Sequence, residues 1–294
     1  MHANILIQLL LNGLIAGSIY GMIAVGYAMV YSILRFINFA HGYIAMIGMY
    51  LAYTFSTLWG VNFIIACLLA VVCSGLLGLL IERIAYKPLR KTFYLAPLIT
   101  SVGVSYSLEA LALLIWGADV RSYNLHMDRS FSLLGARITE VQLIIIVVLV
   151  LSIALLAWLL KKTPLGIAIR AAADDFDMCF LVGVDGDQII AAVFVIGSAL
   201  AGIAGILLGM NTNLQTTIGL AVTIKAFAAI ILGGLGNIYS CVLGGLIIGL
   251  AENLGIWYLP SVWKDAVAYV ILFVILLIKP SGLLGANREA EVKL

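Results

Sequence analysis

Three ionisable residues lie inside long apolar runs of this sequence, where a charged side chain needs either a partner or a function. Lys225 and Glu252 carry opposite charges, and Glu109 is a carboxylate in an earlier run. Counted along the expected membrane helices, all three lie roughly 8–11 Å below the same surface at 1.5 Å per residue. Ionisable residues at that depth are costly and mark candidate functional sites. We predict that Lys225 and Glu252 form an ion pair, extended by Glu109.

Two interpretations of this pair stay open on sequence alone. In the first, Lys225 and Glu252 only fasten two helices together, buried and mutually neutralised. In the second, the same charges line a passage through the membrane. Replacement of Lys225 by Met separates the two, because a purely structural pair would lose stability and leave passage intact.

Motifs for enzymatic chemistry are missing from the chain. The sequence contains no G-x-x-x-x-G-K-[ST], H-E-x-x-H or G-x-S-x-G motif, so neither nucleotide binding nor hydrolysis has visible machinery. Its 3 histidines and 4 cysteines do not have metal-ligand spacing. We expect no enzyme activity, no metal site and no cofactor in this chain, so any energy for uphill movement must come from an ion gradient or from a separate subunit.

A polar loop at residues 161–188 has the clearest functional pattern. Thr163 and Pro164 suit an N-cap and a first helical position. Apolar residues then recur at helical spacing, acidic and basic residues flank them, and Gly183 is placed to end the helix. The residues singled out are Gly166, Ile169, Arg170, Ala172, Ala173, Asp174, Asp175, Phe176 and Gly183.

This amphipathic loop has two plain uses. It lies against the protein's own inner face or the lipid headgroups, or it docks into a groove on a partner protein. Its aspartates argue against anionic lipid, which favours basic helix faces.

The elements that must position these residues follow from composition. Of the 294 residues, 64% are hydrophobic and 10% are charged, against about 45–50% and about 25% in soluble domains. This composition excludes a water-soluble globule, and a net charge of +2 gives no basic field for nucleic acid. The chain is predicted to be a single all-α, polytopic membrane domain over residues 1–294.

Nine transmembrane or broken helices are predicted, within a range of eight to ten. The least certain is the seventh, because Lys225 interrupts it and glycines end it, so it could be re-entrant. The predicted runs are residues 5–31, 39–58, 62–81, 95–116, 141–160, 189–209, 218–236, 238–257 and 262–278.

Positive charge predicts the orientation of these helices, because cytoplasmic loops retain Lys and Arg. The predicted spans place most Lys and Arg residues on one side of the membrane: Arg35, Arg83, Lys87, Arg90, Lys91, Lys161, Lys162, Arg170, Lys279, Arg288 and Lys293. If this side is cytoplasmic, the N-terminus lies outside and the C-terminus inside. The longest outer loop, residues 117–139, then carries mixed charge and is either simply solvated or a landing surface for another protein.

Glycines spaced by four residues predict close helix packing. They occur at Gly13, Gly17 and Gly21, at Gly205 and Gly209, and at Gly245 and Gly249. The dipeptides at 17–18 and 197–198 are both Gly-Ser and lie in spans of opposite predicted direction, which suggests an inverted repeat as in some transporters.

The sequence resembles the permease subunits of ABC importers for branched-chain amino acids of the leucine, isoleucine and valine type. The resemblance covers most of the chain and rests on the order and spacing of several short motifs. These motifs are Asn38, His41 and Gly42; Glu82 to Arg90; the loop from Gly166 to Gly183; Lys225; Leu232 to Gly236; Gly244 and Gly245; Glu252; and Lys279 to Gly285.

The resemblance implies that the loop at 166–183 is the coupling helix that fits a cleft on an ATP-hydrolysing subunit. It also implies two ATPase subunits that bind ATP and Mg, a second related permease chain in a heterodimer, a periplasmic amino-acid-binding protein, and the bacterial inner membrane. Lys225, Glu252 and Glu109 would then meet the carboxylate and ammonium of an amino acid. The acidic pair Asp174 and Asp175 departs from the typical loop and could fit a basic rim on the ATPase.

Two alternatives remain. A permease for urea or a short amide has similar motifs, and a self-sufficient secondary transporter or channel would need no coupling loop.

Overall fold

The computed structural model of this chain describes residues 2–90, 92–93, 95–123, 125, 129–133, 136–176, 179, 183, 185–234, 238–279 and 282–283. These described residues contain ten α-helices and one short hairpin. The helices are α1 (His2–Leu34), α2 (His41–Tyr53), α3 (Phe63–Ile81), α4 (Ala96–Trp116), α5 (Glu140–Lys162), α6 (Pro164–Asp174), α7 (Gly186–Asn211), α8 (Ile218–Gly233), α9 (Ile238–Gly255) and α10 (Lys264–Ile278). A π-helical turn, Thr54–Leu58, prolongs α2, and the turns Glu82–Tyr86 and Lys87–Leu89 prolong α3.

Every helix except α6 coincides with a predicted apolar run, with ends that differ by at most three residues when the turn after α2 is included. In the described part of the chain, six helices are long and apolar enough to cross a membrane: Asn4–Leu34, Phe63–Leu89, Ala96–Trp116, Glu140–Lys162, Gly186–Asn211 and Ser261–Ile278. The apolar helices Ile218–Gly233 and Tyr239–Gly255 are shorter. The predicted all-α, polytopic membrane fold is therefore confirmed.

Local chemistry sets several helix ends. Asn62 accepts a hydrogen bond from the backbone N–H of Ile64 at the start of α3, and Thr163 accepts one from Gly166 at the start of α6, as its position before Pro164 predicted. Thr139 and Gln142 form a reciprocal capping box at the start of α5. Arg35, at φ +56°, ends α1 in the left-handed conformation usually reserved for glycine.

Glycine contacts hold the centre of the bundle together. A Cβ built on Gly17 of α1 would lie 2.7 Å from the Cα of Leu246 in α9 and 2.8 Å from the Gly245 carbonyl. Gly13 approaches Leu250 and Gly21 approaches Val242 in the same interface, so α1 and α9 run antiparallel. Gly205 and Gly209 of α7 instead face Ala45 and Met49 of α2. The spaced glycines thus let backbones approach closely, as lipid-embedded helices require.

The packing also has an internal exchange symmetry. Helix α1 packs extensively on α9, α7 packs extensively on α3, and α1 and α7 contact each other. Where α1 and α7 cross, the carbonyl of Gly26 lies close to Gly197 and the carbonyl of Gly197 lies close to Gly26. Exchanging α1 for α7 and α3 for α9 therefore preserves the pattern, which agrees with the inverted repeat suggested by the sequence.

Loops assigned to the same side by charge contact one another. On the side rich in Lys and Arg, Arg90 lies 2.6 Å from Asp187, and the Arg35 guanidinium donates to the Ala173 carbonyl at 3.1 Å. On the other side, Gln8 near the start of α1 contacts Arg137, and Arg121 contacts Leu214 in the loop between α7 and α8.

The loop at residues 117–139 contains secondary structure that the sequence analysis did not anticipate. Strands β1 (Ser130–Leu133) and β2 (Ala136–Thr139) form an antiparallel hairpin that leads directly into α5. Residues 124, 126–128 and 134–135 of this loop lie outside the described part.

Candidate functional sites

Lys225 lies at the junction of four helices. Its ammonium is 3.0 Å from Oε1 of Glu252 in α9 and 2.7 Å from Oδ1 of Asp265 in α10. It also donates to the Tyr20 hydroxyl of α1 at 3.1 Å, and that hydroxyl donates to Glu252 at 3.0 Å. Glu252 is fully buried and Lys225 nearly so. The structure therefore brings the two charges of the predicted pair together and surrounds them with further partners.

Sequence reasoning missed both Asp265 and Tyr20 as members of this cluster. Asp265 comes three residues after the start of the last apolar run, a position that reads as an ordinary outer boundary. Asp265 and Glu252 have similar predicted depths in the membrane, which was the available signal that they could meet. Depth alone does not show which helices are neighbours.

Glu109 does not extend this cluster. Its carboxylate accepts a hydrogen bond from the Tyr43 hydroxyl of α2 at 3.2 Å, and among the described residues no Lys or Arg forms an ion pair with it. Glu109 is also partly exposed on α4, whereas Glu252 is fully buried. The three ionisable residues thus form two separate sites, which corrects the predicted three-residue arrangement.

Helix α6 is shorter than the predicted amphipathic helix and is oriented differently. It ends at Asp174, and Asp175 has extended backbone angles. Ile169 and Ala172 are buried because α6 packs on α5, α7 and α1. Ala173 and Phe176 are partly buried against the same core. The predicted apolar ridge thus faces this chain's own helices rather than an open groove.

The opposite face of α6 is open. Ile167, Arg170, Ala171 and Asp174 recur at helical spacing and are exposed, and we call them the α6 outer face. Gly166 is buried close to the backbone of Leu159 and Leu160 in α5.

The end of the loop at 161–188 is only partly described. Gly183 is exposed and has φ +80°, a conformation suited to a helix end. Residues 177–178, 180–182 and 184 lie outside the described part.

An ion network lies on the side of the molecule to which the charge pattern assigns α6. Arg90 pairs with buried Glu82 and, at 2.6 Å, with Asp187 in the first turn of α7. Lys87 adds a second contact to Asp187 at 2.7 Å. Burial lowers the pKa of the Arg90 guanidinium while Asp187 raises it, and the ordinary value for arginine is high enough to keep it charged. The network ties the end of α3 to the start of α7.

Asn38 and His41 of the sequence motif lie buried between α1 and α2. The Asn38 side chain accepts from the Tyr86 hydroxyl at 2.7 Å and from the Ala40 backbone at 3.1 Å. The His41 ring packs edge-on against Tyr27, with centroids 5.5 Å apart. These contacts order the short segment between the two helices. Within the described residues, no cluster of His, Cys, Asp and Glu could hold a metal ion.

Comparison with known proteins agrees with these features. Residues 9–276 match the family model described as branched-chain amino acid transport system, permease component. The chain belongs to this permease family. It is 39% identical to the high-affinity branched-chain amino acid transport system permease protein BraD of Pseudomonas aeruginosa, over 97% of this chain and 98% of that protein. It is 38% identical to LivH of Escherichia coli K12, over 97% of each.

One solved structure has a fold similar to that of the permease. PsaBC from Streptococcus pneumoniae in complex with Fab matches with a TM-score of 0.52 and 14% identity, over 92% of this chain and 91% of that chain. At this identity the likeness concerns the fold alone. As a member of a permease family with apolar membrane-spanning helices, the chain is a multi-pass membrane transport component rather than a catalytic enzyme.

Proposed function

We propose that the permease is the membrane-spanning subunit of an ATP-driven ABC importer for branched-chain amino acids in the bacterial inner membrane. Two ATPase subunits, a second related permease chain and a periplasmic binding protein complete the assembly. ATP and Mg bind to the ATPase subunits, and this chain holds no cofactor of its own. The family match supports the substrate class. The single observation that carries the coupling role is the α6 outer face, an exposed helical surface on the side rich in Lys and Arg.

The contacts of α6 support a mechanical role. Thr163 caps α6 directly after α5, and Arg35 at the end of α1 donates to the Ala173 carbonyl in the last turn of α6. A guanidinium at that position also complements the negative end of the helix dipole. A force on the α6 outer face would therefore reach α1, α5 and α7 together.

The motion would pass from α1 to the rest of the bundle. Helix α1 packs on α9 through glycines and contributes Tyr20 to the Lys225 cluster. Because packed helices shift as units rather than deform continuously, closure of the ATPase subunits would move α1 relative to α8 and α9. This sequence of contacts links the cytoplasmic face to the periplasmic half of the molecule.

Co-purification with the ATPase subunits tests the coupling role. We expect the double variant Ile167→Asp and Arg170→Glu to be expressed normally but to purify without the ATPase subunits. Its ATP-driven leucine uptake should fall at least tenfold. Arg129→Glu, an exposed charge reversal on the opposite side, is the matched control and should behave as the parent. Full uptake without ATPase subunits would instead indicate a secondary transporter or channel.

Uptake into reconstituted vesicles tests the substrate. With the binding protein outside and ATP inside, leucine and valine should enter and urea should not. Uptake of urea in place of leucine would reassign the permease to the urea and short-amide type.

A further inference from the structure

Helix α4 presents a carboxylate on an otherwise open face. Glu109 lies seven residues before the end of the helix at Trp116, about 10 Å inside it at 1.5 Å per residue. An acidic side chain that is exposed to lipid inside a membrane helix is energetically costly. The exposed side of Glu109 therefore faces water or protein rather than lipid.

The surroundings of Glu109 differ from those of Glu252. Glu252 is buried with Lys225 and Tyr20 as direct partners, so its charge is compensated within the chain. Glu109 has one hydrogen-bond donor among the described contacts, the Tyr43 hydroxyl. An ionised carboxylate accepts about four hydrogen bonds, so Glu109 has capacity for a further cationic or N–H donor.

The open face next to Glu109 combines polar and apolar groups. Tyr106, one helical turn earlier, is 64% exposed, and Val102 is 37% exposed. A Cβ added at Gly103 would meet nothing within 4 Å, so the described part of the chain leaves this side of α4 open. Ser107 lies on a different side of the helix from Glu109, and its hydroxyl donates to the Gly103 carbonyl, which leaves Glu109 and Tyr106 as the polar groups presented. Between Leu143 and Trp158, by contrast, the exposed side chains of α5 are all apolar.

We infer that the open face of α4 lines the substrate path and that Glu109 binds the α-ammonium group of the passing amino acid. Tyr43 positions the Glu109 carboxylate, and the apolar surface at Val102 accommodates a branched side chain. The second permease chain closes the path opposite α4. This inference rests on the proposed function and assigns a different role to each of the two membrane carboxylates.

The first test is functional and uses the complete transporter in vesicles. Glu109→Gln keeps the size of the side chain and its ability to accept from Tyr43 but removes the charge. We expect leucine uptake per ATP hydrolysed to fall at least tenfold, with assembly, thermal midpoint and ATPase activity unchanged. Glu140→Gln, at the outer start of α5, is the matched control. Parent uptake by Glu109→Gln, or a loss of uptake that accompanies loss of assembly, overturns the inference.

The second test measures water access and does not require transport. In a background without native cysteines, Tyr106→Cys, on the same helix face as Glu109, should react with a membrane-impermeant, positively charged methanethiosulfonate. Addition of loaded binding protein and ATP should change the rate of this reaction. Leu151→Cys, at a position that is 62% exposed on α5, should not react because its face is apolar. An unreactive Tyr106→Cys overturns the path. If the parent complex imports no leucine while Tyr106→Cys reacts, the proposed substrate is wrong and the water-lined path remains.

Discussion

At the scale of single residues, burial separates the charges that stabilise the permease from those available to a substrate. Lys225 has oxygen partners from α1, α9 and α10, whereas Glu109 has one from α2. Removal of one partner of a buried pair leaves an uncompensated charge. We therefore expect Lys225 to act as a structural residue, so that its replacement affects folding before it affects transport.

We expect Lys225→Met to lower the stability of the permease by about 3–5 kcal/mol, measured as a shift in the thermal midpoint of the purified complex. Lys87→Met is the control, because Lys87 and Asp187 are both about half exposed and such pairs contribute about 0–1 kcal/mol. Transport per assembled complex should stay close to that of the parent. A large transport defect with normal stability would instead indicate that Lys225 lines the substrate path.

The sequence was sufficient to pair Lys225 with Glu252, because opposite charges at equal depth in apolar helices have few other partners. It was insufficient to exclude Glu109 or include Asp265. Those assignments depend on which helices are neighbours, and lateral order in a membrane bundle is set by long-range packing rather than by hydropathy.

At the scale of elements, glycine contacts distinguish interfaces from open surfaces. Gly249 of α9 lies against the backbone of Gly13 and Gly17, so a methyl group there would meet main-chain atoms. We expect Gly249→Ala to destabilise the permease by about 1–3 kcal/mol through overpacking. Gly103→Ala on α4 meets nothing and should be neutral or stabilising by up to about 1 kcal/mol. Denaturation of the purified variants measures both, and equal effects would show that the α1 and α9 interface is not tightly packed.

Helix α6 shows what periodicity can and cannot predict at this scale. The start at Thr163 and Pro164 and the amphipathic pattern were predicted correctly. The partner of the apolar stripe was not, since Ile169 and Ala172 pack on the chain's own helices. An apolar helix face predicts that it is buried, but the helices that bury it can belong to the same chain or to another one.

At the scale of the whole molecule, helix direction bears on the number of membrane crossings. Gly13 meets Leu250 and Gly21 meets Val242, so α1 and α9 are antiparallel. If α8 were re-entrant and returned to its own side, α9 would run parallel to α1. Gly78 close to Phe194 and Ser74 close to Gly202 likewise make α3 and α7 antiparallel. These directions favour nine alternating helices, as the charge pattern predicted.

If all nine predicted helices cross the membrane, the two termini lie on opposite sides of it. We expect a C-terminal fusion to green fluorescent protein to fluoresce and a C-terminal fusion to alkaline phosphatase to be inactive, because Lys and Arg concentrate on the cytoplasmic side. Phosphatase inserted after Arg129, in the loop before β1, should be active and serves as the internal control. An active C-terminal phosphatase with an active loop insertion would mean an even number of crossings. Because α1 and α9 are antiparallel, that result would leave the alternation up to α9 intact and would make α10, rather than α8, the helix that fails to span.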